Sequence, residues 1–318
     1  MKGRILWLDN LKGFLIFIVV LGHTILFTNT NGDSNIVYRY ISSFWMALFM
    51  FTSGFASFKT NLNYNIIGRR FKQLIIPFVC WSVILCIING NINIIDLLLY
   101  PSKSVWFLWA LFWINTILFI VCKISKLLNL PEETLCLAII MLSFLFVRYI
   151  ENNSLLAIDL ITIHLLNYSV GYFTRKHFDN IYKKPTIIWY VGAFLFLIMA
   201  YYNRHDYMPF GLPLNLHILY SILCGLLSFM LFVPIFITKK LTYNFWSKWG
   251  RETLGIYVIH IAIYTLLFQI FQTLCVDISG FLYVLYVLIL TIIIFGSSLF
   301  LSRLLGRINF LSKLLLGK

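Results

Sequence analysis

Apolar runs long enough to cross a bilayer recur from Ile5 to Leu305, and short polar stretches holding most of the lysines, arginines, prolines and asparagines separate them. A lipid core takes roughly 17–25 apolar residues to span as a helix, and every backbone polar group inside it must be bonded internally. Read this way, the spans fall near 5–27, 36–58, 73–90, 104–122, 134–150, 155–174, 186–202, 214–237, 253–275 and 280–302. The expected fold is all-α: a polytopic integral membrane bundle of about ten transmembrane helices, forming one domain over residues 1–318. The chain is 61% hydrophobic and 11% charged, with a mean hydropathy of +0.89. A soluble domain is about 25% charged, so no water-soluble fold could cover this much apolar surface.

The net charge of +14 would suggest nucleic acid in a soluble protein; in a membrane protein the placement of charge matters more than its sum. Assigning alternate helix ends to one side collects 20 of the 25 basic residues there. The opposite side receives only Arg39, Lys103, Arg148 and Arg204, and Lys12 lies inside the first span. By the positive-inside rule both termini are expected in the cytoplasm. The same basic loops would attract anionic lipid headgroups or a polyanionic ligand.

Asp9 and Lys12 interrupt the first apolar run and no small-residue cleavage site follows, so the first helix is expected to be retained rather than removed as a signal peptide. Six cysteines stand singly in or beside apolar spans, without metal or disulfide spacing, and read as packing residues. Nothing matches G-x-S-x-G, a P-loop, G-x-G-x-x-G or H-E-x-x-H, which removes most soluble-type enzyme chemistries. No metal is expected. The segments 89–103 and 203–213 carry asparagines, Asp96, His205, Asp206 and tyrosines that suit a sugar but also suit any solvated loop.

Ionisable groups at membrane depth are costly and therefore informative. The first span holds the densest set. At 100° per residue the step from Lys12 to His23 overshoots three whole turns by only about 20°, and Asp9 is an i, i+3 neighbour of Lys12, so all three share one face. His23 lies ~16 Å along the axis from Lys12, in the outer half of the bilayer. Gly22 is expected to admit another backbone beside it, and Thr24 adds a hydroxyl. The bland alternative has Asp9 and Lys12 at the interface and His23 at the outer end of the span.

Asp159, His164, His217 and Glu252 are further ionisable groups in or beside apolar runs. Asp159 and His164 are about 140° apart around a helix, which argues against a local dyad. Tyr257 and His260 share a face, and His260 could line the same cavity as His23 or simply bond a backbone carbonyl. Trp106, Trp109 and Trp113 form one stripe, an aromatic belt or packing seam.

Several segments together resemble the acyltransferase-3 family of membrane acyltransferases. The opening Arg4-Ile-Leu-Trp-Leu-Asp9-Asn-Leu-Lys12-Gly13, continuing to Val20-Leu21-Gly22-His23, is similar to the family's basic residue, ten intervening residues and histidine. Lysine stands where arginine is usual and keeps the charge without the bidentate fork. Phe49 to Phe55 resembles the family's F-x-x-S-G-Y/F segment. Gly68-Arg69-Arg70-Phe71-Lys72 leading to Ile76-Pro77-Phe78 resembles its basic entry to the third helix, Val105 to Leu108 its W-F-L segment, and Leu254 to His260 its L-G-I-Y-x-x-H signature.

The resemblance implies transfer of an acyl group, most often acetyl, from cytoplasmic acyl-CoA to a hydroxyl of a cell-surface polysaccharide or lipid-linked glycan. It places the chain in a bacterial cytoplasmic membrane, as a stand-alone module without a fused extracytoplasmic esterase-like domain. His23, Lys12 and Asp9 are the expected catalytic set; histidine can serve as base or nucleophile near neutral pH. Arg69, Arg70 and Lys72 are expected to hold the phosphates of acetyl-CoA, and Trp106, Tyr257 and His260 to meet the acceptor. The competing class is a secondary transporter or flippase for a glycan or lipid precursor, using the same groups as a proton relay; no inverted repeat supports it.

Overall fold

A computed structural model describes residues 5–28, 35–58, 64–90, 93–149, 154–178, 186–203, 214–238, 244–273 and 280–318. Each of the ten apolar runs is a helix: α1 (Leu6–Thr28), α2 (Ile36–Ser57), α3 and α4 (Asn65–Arg70 and Ile76–Asn89, joined by a π-helical turn at Phe71–Ile75), α6 (Trp106–Leu128), α7 (Glu132–Tyr149), α8 (Ile158–Lys176), α9 (Thr186–Tyr202), α10 (Leu214–Thr238), α12 (Thr253–Thr273) and α13 (Gly280–Arg307). Six helical stretches among the described residues are long and apolar enough to span a bilayer by themselves, Asn65–Asn89 among them. The chain is thus a polytopic helical membrane protein. The short helices α5 (Ile94–Leu99), α11 (Asn244–Arg251) and α14 (Asn309–Leu316) fall outside the ten runs.

The third span differs from expectation. It starts at Asn65 rather than near 73, so Arg69, Arg70 and Lys72 lie on helix and not in a loop. Pro77 explains the π turn: it has no N–H to give the carbonyl of Gln73, and its ring crowds that oxygen, so the helix widens by one residue.

The helices pack as two compact units, with α2 and α13 each running from one into the other. The first comprises residues 1–49 and 182–303. Its centre is α1, against which α11 and α12 pack. α1 and α11 meet through a reciprocal pair of glycines. A Cβ on Gly13 would stand 2.0 Å from the carbonyl oxygen of Trp246, and one on Gly250 would stand 2.0 Å from that of Asp9. Around this seam Phe14 and Phe17 meet Trp246, and Phe17 also meets Trp249 and Phe295.

The second unit comprises residues 50–181 and 304–318. It repeats the device: Gly54 faces the carbonyl of Tyr168 at 1.9 Å and Gly171 that of Phe51 at 2.1 Å, measured from a built Cβ, which seats the end of α2 on α8. Met50, Ile114, Leu118, Leu165 and Tyr168 fill its core. α6 ends at Asn129, whose left-handed backbone (φ 54°) turns the chain into Pro131. Lys176 bridges Glu132 at 2.9 Å and Glu133 at 2.8 Å, tying the end of α8 to the start of α7. α14 docks on α4 through Leu315, whose carbonyl accepts from the Trp81 indole at 2.9 Å, and Gly317 lies against the backbone of Gln73.

Among the described residues Cys122, Cys136 and Cys224 are buried, Cys80 and Cys86 are half-buried, and none of the five is in a disulfide; Cys136 donates to Ser169, and Cys275 lies outside the described residues.

Candidate active site

α1 is unbroken from Leu6 to Thr28, so Asp9, Lys12 and His23 share one face as their spacing requires. Asp9 and Lys12 are each half-buried, at the end of the helix where the glycine seam with α11 lies. His23, also half-buried, stands in its C-terminal half.

There His23 meets α12. Its ring centroid is 5.3 Å from that of His260 and 6.3 Å from that of Tyr264, while Tyr257 lies 5.8 Å from His260. The spacing of Tyr257, His260 and Tyr264, steps of three and four, puts all of them on the face of α12 that looks at α1. His260 is fully buried and its Nδ1 is 2.9 Å from the carbonyl of Ile256. A carbonyl only accepts, so Nδ1 carries the proton and Nε2 is left with its lone pair. That Nε2 is buried and has no hydrogen-bond partner among the described residues. Both expectations for His260, the carbonyl bond and a place beside His23, therefore hold at once.

The other wall is Trp45 of α2, 5.0 Å from His23 and tilted by 34°. A Cβ on Gly22 would stand 2.5 Å from this indole and 2.9 Å from Ile41. The expectation that Gly22 admits another backbone is thus corrected: it admits an aromatic side chain, because the helix facing it presents Trp45 at that level.

One turn on, hydroxyls replace rings. Thr24 Oγ1 donates to the carbonyl of Val20 at 2.9 Å and lies 2.6 Å from the Tyr264 hydroxyl, which is 3.0 Å from the same carbonyl. Thr291 of α13 completes the cluster, 3.1 Å from Thr24. These bonds fix α12 and α13 on α1 beside the imidazoles. Tyr264→Phe removes the hydroxyl that meets both Thr24 and the Val20 carbonyl and is expected to lower stability by about 1 kcal/mol or more, read as a fall in the thermal midpoint of the purified protein; an unchanged midpoint would show the hydroxyl to be idle.

The remaining expected site residues belong to the second unit. Arg69 and Lys72 are exposed, and Arg70 is half-buried with Nη1 3.4 Å from Gln73 Oε1. Trp106 stacks on His164 with centroids 5.4 Å apart and planes at 16°, a pairing that no spacing or motif anticipates. The Trp stripe of α6 divides by role. The Trp109 indole donates to the carbonyl of Leu156 at 2.8 Å, where Leu156 and Ala157 both have φ 53°, and Trp113 is exposed. His205 and Asp206 lie outside the described residues. Among the described residues no three His, Cys, Asp or Glu side chains gather as a metal site requires.

Comparison with known proteins adds two findings. The model of the family described as "Acyltransferase domain" matches residues 5–303. Nodulation protein NolL of Sinorhizobium fredii (strain NBRC 101917 / NGR234) is 27% identical over 189 residues, covering 54% of this chain and 48% of that protein. Nodulation protein NolL of Mesorhizobium japonicum (strain LMG 29417 / CECT 9101 / MAFF 303099) is 29% identical over 127 residues, 35% of this chain and 34% of that protein. The chain thus matches half or less of the length of these curated relatives. No solved structure matches.

Proposed function

Because the chain belongs to the acyltransferase-3 family of membrane acyltransferases, we propose that it moves an acyl group, acetyl in the first instance, from cytoplasmic acyl-CoA to a hydroxyl of a cell-surface polysaccharide or lipid-linked glycan. The observation that carries this reading is the meeting of His23 and His260, from opposite ends of the chain, with His260 locked in one tautomer by Ile256.

In this reading His23 takes the proton of the acceptor hydroxyl as its oxygen attacks the thioester carbonyl. The new C–O bond forms, the C–S bond breaks, and the proton passes from His23 to the departing thiolate of CoA. His260 and Tyr257 face the acceptor, with the bare Nε2 of His260 as a hydrogen-bond acceptor. Trp106 is an acceptor contact in the same scheme. Lys12 and Asp9 hold charge on the approach to His23, and Arg69, Arg70 and Lys72 bind the CoA phosphates as clustered cations do. The setting is a bacterial cytoplasmic membrane with both termini inside. The acyl group then crosses the bundle to reach His23, and accessibility of position 23 from the cytoplasm alone would sink that handover.

The test is transfer of radiolabel from acetyl-CoA to glycan in membranes containing the chain. Alkali-labile label in the glycan fraction, absent from membranes without the chain, is the expected result; none with any acyl-CoA or glycan, alongside glycan movement in vesicles, would support transport instead. Replacing Arg69, Arg70 and Lys72 together by glutamine is expected to raise KM for acyl-CoA about tenfold or more with kcat little changed. An unaltered KM would free these residues from donor binding.

A further inference from the structure

Arg39, in the first turn of α2, is only 8% exposed, although no carboxylate lies within 4.0 Å of it among the described residues. Nη1 donates to the carbonyl of Tyr201 at 3.1 Å, and the guanidinium lies 5.3 Å from the centre of the Tyr201 ring. Among the described residues Nε is buried without an acceptor, and no hydrogen bond from Nη2 accompanies it. Among the described residues, therefore, nothing accepts from the Nε–Nη2 edge, whose two parallel N–H bonds are the fork that meets two oxygens of one anion.

Among the described residues the neighbours do not fill that edge. The hydroxyls of Ser42 and Ser43 both donate to Arg39's own main-chain carbonyl, at 3.0 and 2.7 Å. Asn203 donates to Ser43 Oγ, and Ser221 donates to Asn203 Oδ1. This relay of donors runs toward the backbone and offers the guanidinium nothing.

A structural role accounts for part of the arrangement. Arg39 caps the C-terminus of α9, whose carbonyls at Leu197 and Met199 are taken by Tyr40 and Tyr220, and a cation is favoured there. The cap uses one N–H of five. A buried charge with no counter-ion among the described residues is costly, and a cap alone does not offset it.

We propose that the Nε–Nη2 edge of Arg39 seats a phosphate, carried either by a phospholipid headgroup or by a phosphate-linked acceptor. Only the second source rests on the acyl-transfer reading. For that source the reach is set by α2: Arg39 precedes Trp45, the wall of the His23 site, by six residues, ~9 Å along the helix and about 120° around it. A phosphate-linked acceptor seated at Arg39 would have to extend round α2 to present a hydroxyl at His23.

The experiment uses the full chain, purified in a neutral maltoside and titrated with inorganic phosphate against chloride at equal ionic strength. Phosphate is expected to raise the thermal midpoint, and Arg39→Lys, which keeps the capping charge but not the fork, is expected to weaken the apparent affinity about tenfold. Because Arg69, Arg70 and Lys72 are proposed to take phosphate themselves, the comparison is repeated in the triple glutamine variant at 69, 70 and 72, where Arg39→Lys is expected to remove the phosphate response that is left. Reconstitution in phosphatidylglycerol nanodiscs, extraction and native mass spectrometry then separate the sources. Lipid retained by the wild type and lost in Arg39→Lys assigns the seat to a headgroup; an Arg39-dependent phosphate response without retained lipid assigns it to the acceptor. Equal phosphate responses in wild type and Arg39→Lys would overturn the proposal. So would Asp206→Asn matching Arg39→Lys in both midpoint and phosphate response, because the counter-ion would then be the chain's own carboxylate. Neither result would touch label transfer from acetyl-CoA.

Discussion

His23→Ala is expected to lower acyl transfer by about 10²–10⁴-fold, the range that a positioned general base contributes, at unchanged protein level in the membrane. The loss is expected on kcat rather than on KM for acyl-CoA, because the residues proposed to hold the donor, Arg69, Arg70 and Lys72, are not among the neighbours of His23, which are Trp45, His260 and Tyr264. The measurement is initial rate against acyl-CoA concentration in membranes matched by immunoblot. A variant that keeps most of the wild-type rate would remove His23 from the chemistry. If His260→Ala abolished transfer in the same experiment, the base would be His260, whose Nε2 is already free to accept.

Gly250→Leu, and independently Gly13→Leu, prevent the first unit from closing. A Cβ at either position would stand 2.0 Å from a backbone oxygen of the opposite helix, which cannot swing aside as a side chain can. Overpacking typically costs about 1–3 kcal/mol, occasionally more; an overlap with backbone belongs at or above the top of that range. The expected result is little folded protein by size-exclusion chromatography and a much lower thermal midpoint in what survives. Gly296→Ala is the control, since a Cβ there meets nothing within 4 Å. Wild-type midpoints for both leucine variants would mean that the α1–α11 seam is not the closing contact. Gly22→Ala should fall between, because the atom in its way is the edge of the Trp45 ring.

The ten apolar helices could be read from the sequence because lipid selects for long apolar segments, six of them long and apolar enough to span a bilayer among the described residues. The face of α1 was legible for an equally plain reason: an unbroken helix turns 100° per residue whatever surrounds it. His260 announced itself through the Leu254–His260 segment. Tyr264, one turn further on the same face, could have been found by the same count but belongs to no motif. Trp45 could not, since only the facing of α2 on α1 brings it to His23. α11 and α14 are two turns each, too short to register as apolar runs. The π turn needed the effect of Pro77 on Gln73 to be followed through the backbone. Arg39 was counted for its side of the membrane, and a charge count is blind to burial.

The seam between Gly13 and Gly250 also bears on biosynthesis. Ribosomes add about 5–20 residues per second, so α1 waits roughly 10–50 s in the bilayer before α11 exists to cover its Asp9 and Lys12 end and α12 to cover His23. During that interval the most polar of its faces has neither of those partners, in the solvent least tolerant of polar groups. Insertion machinery that lets go of α1 early would release an unshielded helix to membrane quality control, so the yield of this protein should depend on how long the nascent first helix is held.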